Sequence, residues 1–327
     1  MTDDSTSTRA SHAPLTLDEI EEARTRIEGA AIRTPIVRLD VDVPGTEIYL
    51  KLEVLQPIGS FKIRGAGSLI GSVGSDDLAN GVWTASAGNM AQAVAWYARR
   101  QGLPCTVVMP DTAPDAKTSA VERLGASIIK VTFDEWLAVF RSRAFPGMQG
   151  LFVHPFSDRH VMAGNATIGV EILEDLPEVD AVVIPYGGGG LSCGIASAIR
   201  ALAPRTTVFA AEIATAAPLS ASLAAGEPVE VPYAPSFVDG IGSPAVFPEM
   251  FELARTLLDG SLVVEPDHAA EAVKLLATRA HVVAEGAGAV PVAAAMAGLA
   301  GSGKVVAVVS GGSIDASKLA DILAGSG

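Results

Sequence analysis

The chain has 327 residues, 49% hydrophobic and 18% charged, which is material for about two packed lobes at roughly 150 residues each. A formal net charge of -14 with no basic stripe excludes a nucleic-acid partner, and no apolar run approaches the length of a membrane span. The two cysteines, Cys105 and Cys193, fit neither a metal-ligand spacing nor a disulfide framework, so the expected compartment is reducing and cytoplasmic.

Residues 1–14 are polar and lack the apolar core of a signal peptide, so they are expected to form a disordered tail. Thr16-Leu17-Asp18-Glu19 has capping-box spacing and predicts a helix running to Glu28. Alternating polarity from Ile48 to Val54 predicts a strand with one solvated face, broken by Pro57 and Gly59, with a helix opening at Ser60. A βα rhythm follows: strands at Val82–Ala85, Cys105–Met109 and Ser127–Val131, helices at Met90–Arg100 and Ala116–Leu124. It resumes past residue 150 with strands at Ala181–Ile184, Thr207–Ala211, Leu262–Val264 and Val305–Val309. Continuous Val, Ile and Ala runs between helices indicate parallel sheets buried on both faces, with ligands expected at the strand-to-helix joints.

One joint stands out. Gly187-Gly188-Gly189-Gly190-Leu191 follows a buried strand and precedes a helix at Ser192–Leu202, so free backbone N–H groups and the positive end of a helix dipole face one point. That suits a phosphate, or else a close helix–strand turn. A dinucleotide fingerprint would need glycine where Ser192 or Cys193 stands. Gly298–Lys304 imitates a P-loop but runs from helix into strand, the reverse of the required order, and is expected to be a surface turn. His154 and His160 sit in no metal-binding pattern, and no metal site is expected.

Five motifs in order carry a family resemblance: Gly59-Ser60-Phe61-Lys62-Ile63-Arg64-Gly65-Ala66, Ser86-Ala87-Gly88-Asn89, Gly187 to Gly190, Glu285-Gly286-Ala287-Gly288 and Ser310-Gly311-Gly312. From about Leu17 to the end, the chain resembles the tryptophan-synthase-β-like pyridoxal-phosphate enzymes, in the threonine/serine dehydratase branch that includes serine racemase. The resemblance implies an α/β fold of two lobes, each an open, mostly parallel sheet flanked by helices, with pyridoxal 5'-phosphate in the cleft between them. It places a large cofactor domain at 15–75 and 153–327 and a small domain at 80–150.

By the same resemblance Lys62 binds the cofactor as a Schiff base and later moves the Cα proton, while Phe61 packs on the ring. Asn89 partners the phenolic oxygen, Ser310 the pyridine nitrogen, and Gly187, Gly188, Gly189, Gly190 and Leu191 the phosphate. Glu285 and Gly311 lie beside the cofactor. The loop of Ser86, Ala87, Gly88, Asn89 and Met90 grips the substrate carboxylate, and Gly240 lines the substrate side. The implied reaction is loss of water from a β-hydroxy amino acid, such as threonine, serine or a bulkier analogue, to give a 2-oxo acid and ammonia. The implied assembly is a homodimer. The alternatives are β-replacement, as in cysteine-synthase-like relatives, and amino-acid racemisation.

The sequence also departs from the pattern. Ala87 replaces the serine that serves the second face in serine racemase, so little racemisation is expected. Met90 stands where histidine is frequent and Ser313 where asparagine is. The stretch after Glu212 lacks the acid that completes the racemases' divalent-metal site. With Gly327 the last residue, no isoleucine-sensing regulatory domain is expected.

Overall fold

The computed structural model describes residues 13–113 and 115–325. Helix α1 (Leu17–Arg26) opens with the expected capping box: the Thr16 hydroxyl accepts from the Glu19 N–H at 3.3 Å, and the Glu19 carboxylate accepts from the Thr16 N–H at 2.8 Å. Most of the expected tail lies outside the described residues. Ala13 and Pro14 are held, their carbonyls accepting from the Arg159 guanidinium.

The βα rhythm builds two sheets. The larger runs β1 (Ile36–Arg38), β2 (Thr46–Leu52), β10 (Gly303–Val309), β7 (Ala181–Pro185), β8 (Thr207–Ile213), β9 (Gly260–Val264). The smaller runs β5 (Ser127–Val131), β4 (Cys105–Pro110), β3 (Val82–Ala85), β6 (Leu151–Phe152). Every pairing is parallel except β1 with β2. The apolar strands face a core on each side, as parallel crossovers require. Val182, Ile184, Val306 and Val308 pack with helices α6 (Arg159–Asp175), α7 (Gly190–Leu202), α8 (Pro218–Ala225) and α9 (Pro248–Leu257); Val183, Val305, Ala307 and Val309 pack with α10 (Pro266–Leu275) and α11 (Gly286–Met296).

The solvated face expected of the Ile48–Val54 strand is not there. Lys51 is fully buried, its ammonium donating to Glu171 at 2.6 Å and to the Thr34 carbonyl at 2.7 Å. Glu171 also accepts from Arg64, which meets Glu53 on its other side at 2.8 Å. Polar alternation reports where charge sits, not whether water reaches it, and here opposite charges and hydrogen bonds replace the water.

Helix α6 was not legible in the sequence and organises the large sheet's front. It lies between α2 (Lys62–Ile70) and α7, and glycines bring the three backbones close: a Cβ at Gly164 would fall 2.3 Å from the Arg64 carbonyl oxygen, and one at Gly194 2.5 Å from that of Met162. Helices α3 (Asn89–Gln101), α4 (Asp115–Glu122) and α5 (Phe133–Ser142) flank the small sheet. Asn165 of α6 ties α7 in place, its amide donating to the Gly190 carbonyl at 3.2 Å.

Candidate active site

The site begins with a chain crossing. Gly59 takes a left-handed φ of 72°, which turns the backbone from β2 toward α2. The next residues pair antiparallel with 310–312: the Phe61 N–H donates to the Ser310 carbonyl at 3.0 Å and the Gly312 N–H to the Gly59 carbonyl at 2.9 Å. An early and a late motif are thereby joined, with Lys62 at the start of α2 and Ser310 just beyond β10.

The Lys62 amine donates to the Pro155 carbonyl at 2.6 Å and lies 4.9 Å from the centre of the Phe61 ring. Desolvation lowers its pKa to about 8, against the attraction of Glu285. Pro155 belongs to the segment after β6 that sequence reasoning passed over. Its neighbour Phe156 packs on the glycine loop: a Cβ at Gly188 would lie 2.3 Å from the Phe156 ring, and one at Gly190 2.5 Å from its carbonyl oxygen. Gly189 has a φ of 85°, so the loop curls directly into α7, and Leu191 is buried there.

On the other side, Asn89 starts α3 and its Nδ2 donates to Glu285 Oε1 at 2.9 Å. The Glu285 N–H donates to the Gly311 carbonyl at 3.0 Å. A Cβ on Gly311 would lie 2.7 Å from Glu285 Oε1, so this glycine makes room for the carboxylate, while one on Gly240 would lie 3.0 Å from the Ala287 Cβ. Burial, then the charge of Asp239, raise the Glu285 pKa to about 7, while the Asn89 hydrogen bond and Lys117 lower it. Ser86 accepts from the Gly88 N–H at 3.2 Å, with half-buried Ala87 between them. The Met90 side chain is 1% exposed and packs in the small sheet's core with Val107 and Met109.

The two histidines singled out in the sequence part company. His160 is exposed. His154 is buried, and burial pushes its pKa down to about 3; the neutral ring's Nδ1 accepts from the Phe156 and Ser157 N–H groups at 3.3 and 2.9 Å, which fixes the turn presenting the Pro155 carbonyl to Lys62. Glu212 is likewise occupied, accepting from the Leu219 and Ser220 N–H groups and from the Ser261 hydroxyl.

Residues 27–311 match the model of the family described as pyridoxal-phosphate dependent enzyme. The chain belongs to that family. An L-threonine ammonia-lyase of Thermotoga maritima is 42% identical over 315 residues, covering 94% of this chain and 78% of that protein. Among solved structures, maize serine racemase superposes with a TM-score of 0.88 at 30% identity, covering 96% of this chain and 98% of that one. Threonine deaminase isoform 2 from Solanum lycopersicum gives a TM-score of 0.83 at 32% identity, covering 94% of each chain. The family's cofactor is pyridoxal phosphate, and the residues present fit it. Besides an amine of lowered basicity and a glycine loop at a helix start, the cluster holds two buried polar atoms without protein partners, Ser60 Oγ and Asn89 Oδ1. Among the described residues, no helix is long and apolar enough to cross a membrane.

Proposed function

We propose that this family member is an ammonia-lyase that removes water from a β-hydroxy amino acid, such as threonine, serine or a bulkier analogue, and releases a 2-oxo acid and ammonia. The names of its relatives support the reaction class. The observation that carries the reading is the Lys62 amine, brought to about 8 by desolvation and held by the Pro155 carbonyl within the site that Asn89, Glu285 and the glycine loop enclose.

Bound pyridoxal phosphate supplies the electron sink for the charge left at Cα. In this reading Lys62 would hold the cofactor through its amine and, as a neutral amine, would take the substrate's Cα proton. Phe61 would pack on the ring, Asn89 would donate to the phenolic oxygen and the Ser310 hydroxyl would partner the ring nitrogen. The N–H groups of Gly187 to Leu191, with the positive end of α7, would hold the phosphate, and Gly311 and Glu285 would close the wall beside it. Backbone N–H groups of Ser86 to Met90, with the Ser86 and Asn89 side chains, hold the substrate carboxylate next to Gly240. Ala87 has no proton to exchange, which disfavours racemisation.

The lobes are assigned as a large domain at 15–75 and 153–327 and a small one at 80–150, the substrate entering between them. Support comes from the sheets: both flanking stretches contribute to the six-stranded sheet and the intervening stretch to the four-stranded one, with β6 carrying the latter on to Phe152. The reading includes a cytoplasmic enzyme, consistent with the free, buried Cys105 and Cys193, and a homodimer, carried over from the family resemblance.

The test is a screen of D- and L-β-hydroxy amino acids, erythro and threo, for 2-oxo acid and ammonia. Wild type is expected to release both with no added nucleophile, and Lys62→Ala to lose at least ~100-fold in kcat. Turnover retained by Lys62→Ala contradicts the assignment. Substrate turnover only when a second nucleophile is added, with the nitrogen kept in the product and no ammonia released, points to β-replacement, and enantiomer exchange as fast as elimination points to a racemase.

A further inference from the structure

We propose that Glu285 positions Asn89: as a carboxylate it holds one N–H of the Asn89 amide so that the other faces the cofactor's phenolic oxygen, and on protonation it lets the amide turn over and withdraws that donor. The inference rests on the functional reading above, in which Asn89 meets that oxygen.

The two ends of an asparagine amide have nearly the same shape, so the neighbour's chemistry decides which end faces it. An ionised carboxylate only accepts, and Asn89 answers with Nδ2 at 2.9 Å from Glu285 Oε1. Its Oδ1 is left buried with no partner. A protonated Glu285 carries an O–H, and the acceptor that suits it is this orphaned oxygen. One proton therefore separates two amide orientations. The carboxylate has little room to swing away: the Glu285 backbone is fixed by its N–H donating to the Gly311 carbonyl at 3.0 Å, and Oε1 lies in space that Gly311 leaves free only because it lacks a Cβ.

The charges facing Glu285 come from three elements: Asp239 in the turn before Gly240, Lys117 on α4, and Lys62 on α2. Asp239 disfavours the carboxylate and Lys117 favours it, while those two pair with each other across the cleft at 2.5 Å. The balance sets the pKa to about 7, so the donor is presented above neutrality and withdrawn below it.

The test follows the Asn89 side-chain NH2 protons by NMR in the 15N-labelled full-length protein without cofactor, assigned by their loss in Asn89→Asp, alongside cofactor affinity at pH 6 and pH 8. In wild type the amide signals are expected to titrate with a single midpoint near 7. In Glu285→Gln, whose amide oxygen accepts the same hydrogen bond at every pH, they are expected to stay flat. Between pH 8 and pH 6, wild-type affinity is expected to fall about tenfold more than that of Glu285→Gln, the loss of one charge-assisted hydrogen bond. Amide signals that stay flat in wild type, or that titrate unchanged in Glu285→Gln, overturn the proposal. Wild type that binds no cofactor at either pH overturns the functional reading beneath it.

Discussion

In the role proposed for it Lys62 works only as a neutral amine, and its surroundings decide how often it is one. An ordinary lysine, near 10.5, would hold its proton through the whole physiological range; desolvation brings this one to about 8, so roughly a tenth is neutral at pH 7 and half at pH 8. Because the neutral form accepts the Cα proton, kcat is expected to rise from about pH 6.5 with its midpoint near 8 and to level off about one pH unit higher. A pH–rate profile whose rising limb lies near 10 contradicts this. At this scale the sequence was informative where a residue's chemistry is its side chain. Lys62, Asn89, Glu285 and Ser310 stand in motifs, and the structure brings them together. It was silent where the chemistry is backbone: the Pro155 carbonyl that receives the Lys62 amine leaves no mark in a sequence. Nor could it give the direction of Met90, whose loop position said nothing of a side chain turned into the small core.

At the scale of elements, α6 decides how far the lysine lies from the glycine loop, since it is wedged between the helices that begin at each. Its middle, Val161 to Ile172, is buried on all sides, so no polar face existed for periodicity to detect. The strands were legible because parallel strands buried on both faces must be continuously apolar. The antiparallel β1 and the short β6 are too brief and too exposed to stand out. The contact between α6 and α2 has no slack: Gly164→Ala would place a Cβ 2.3 Å from a backbone oxygen, not from a side chain that can rotate away. Denaturant unfolding is expected to show a loss of ~1–3 kcal/mol, together with weaker cofactor binding as Lys62 shifts. Unchanged stability and affinity would show that α6 does not set the spacing.

Across the whole molecule, the two sheets meet around the site, and the Lys117–Asp239 pair joins them at its edge, α4 on one side and the Gly240 turn on the other. Both partners are partly exposed, so the pair adds little to stability, on the order of 0–1 kcal/mol. Its effect should fall on the bound state instead. Lys117→Ala is expected to raise KM several-fold while leaving the unfolding midpoint nearly unchanged, and an unaltered KM counts against a role in closing the cleft. No single motif revealed this pairing, because the two residues are far apart in sequence and each alone reads as a surface charge.

The central claim is that one amine, Lys62, carries the cofactor beside the glycine loop. Borohydride reduction of the purified enzyme, followed by peptide mapping, tests it directly. The account expects the phosphopyridoxyl label on the peptide containing Ser60-Phe61-Lys62 and no label in Lys62→Ala. A label on any other lysine, with the Lys62 peptide unmodified, would contradict it.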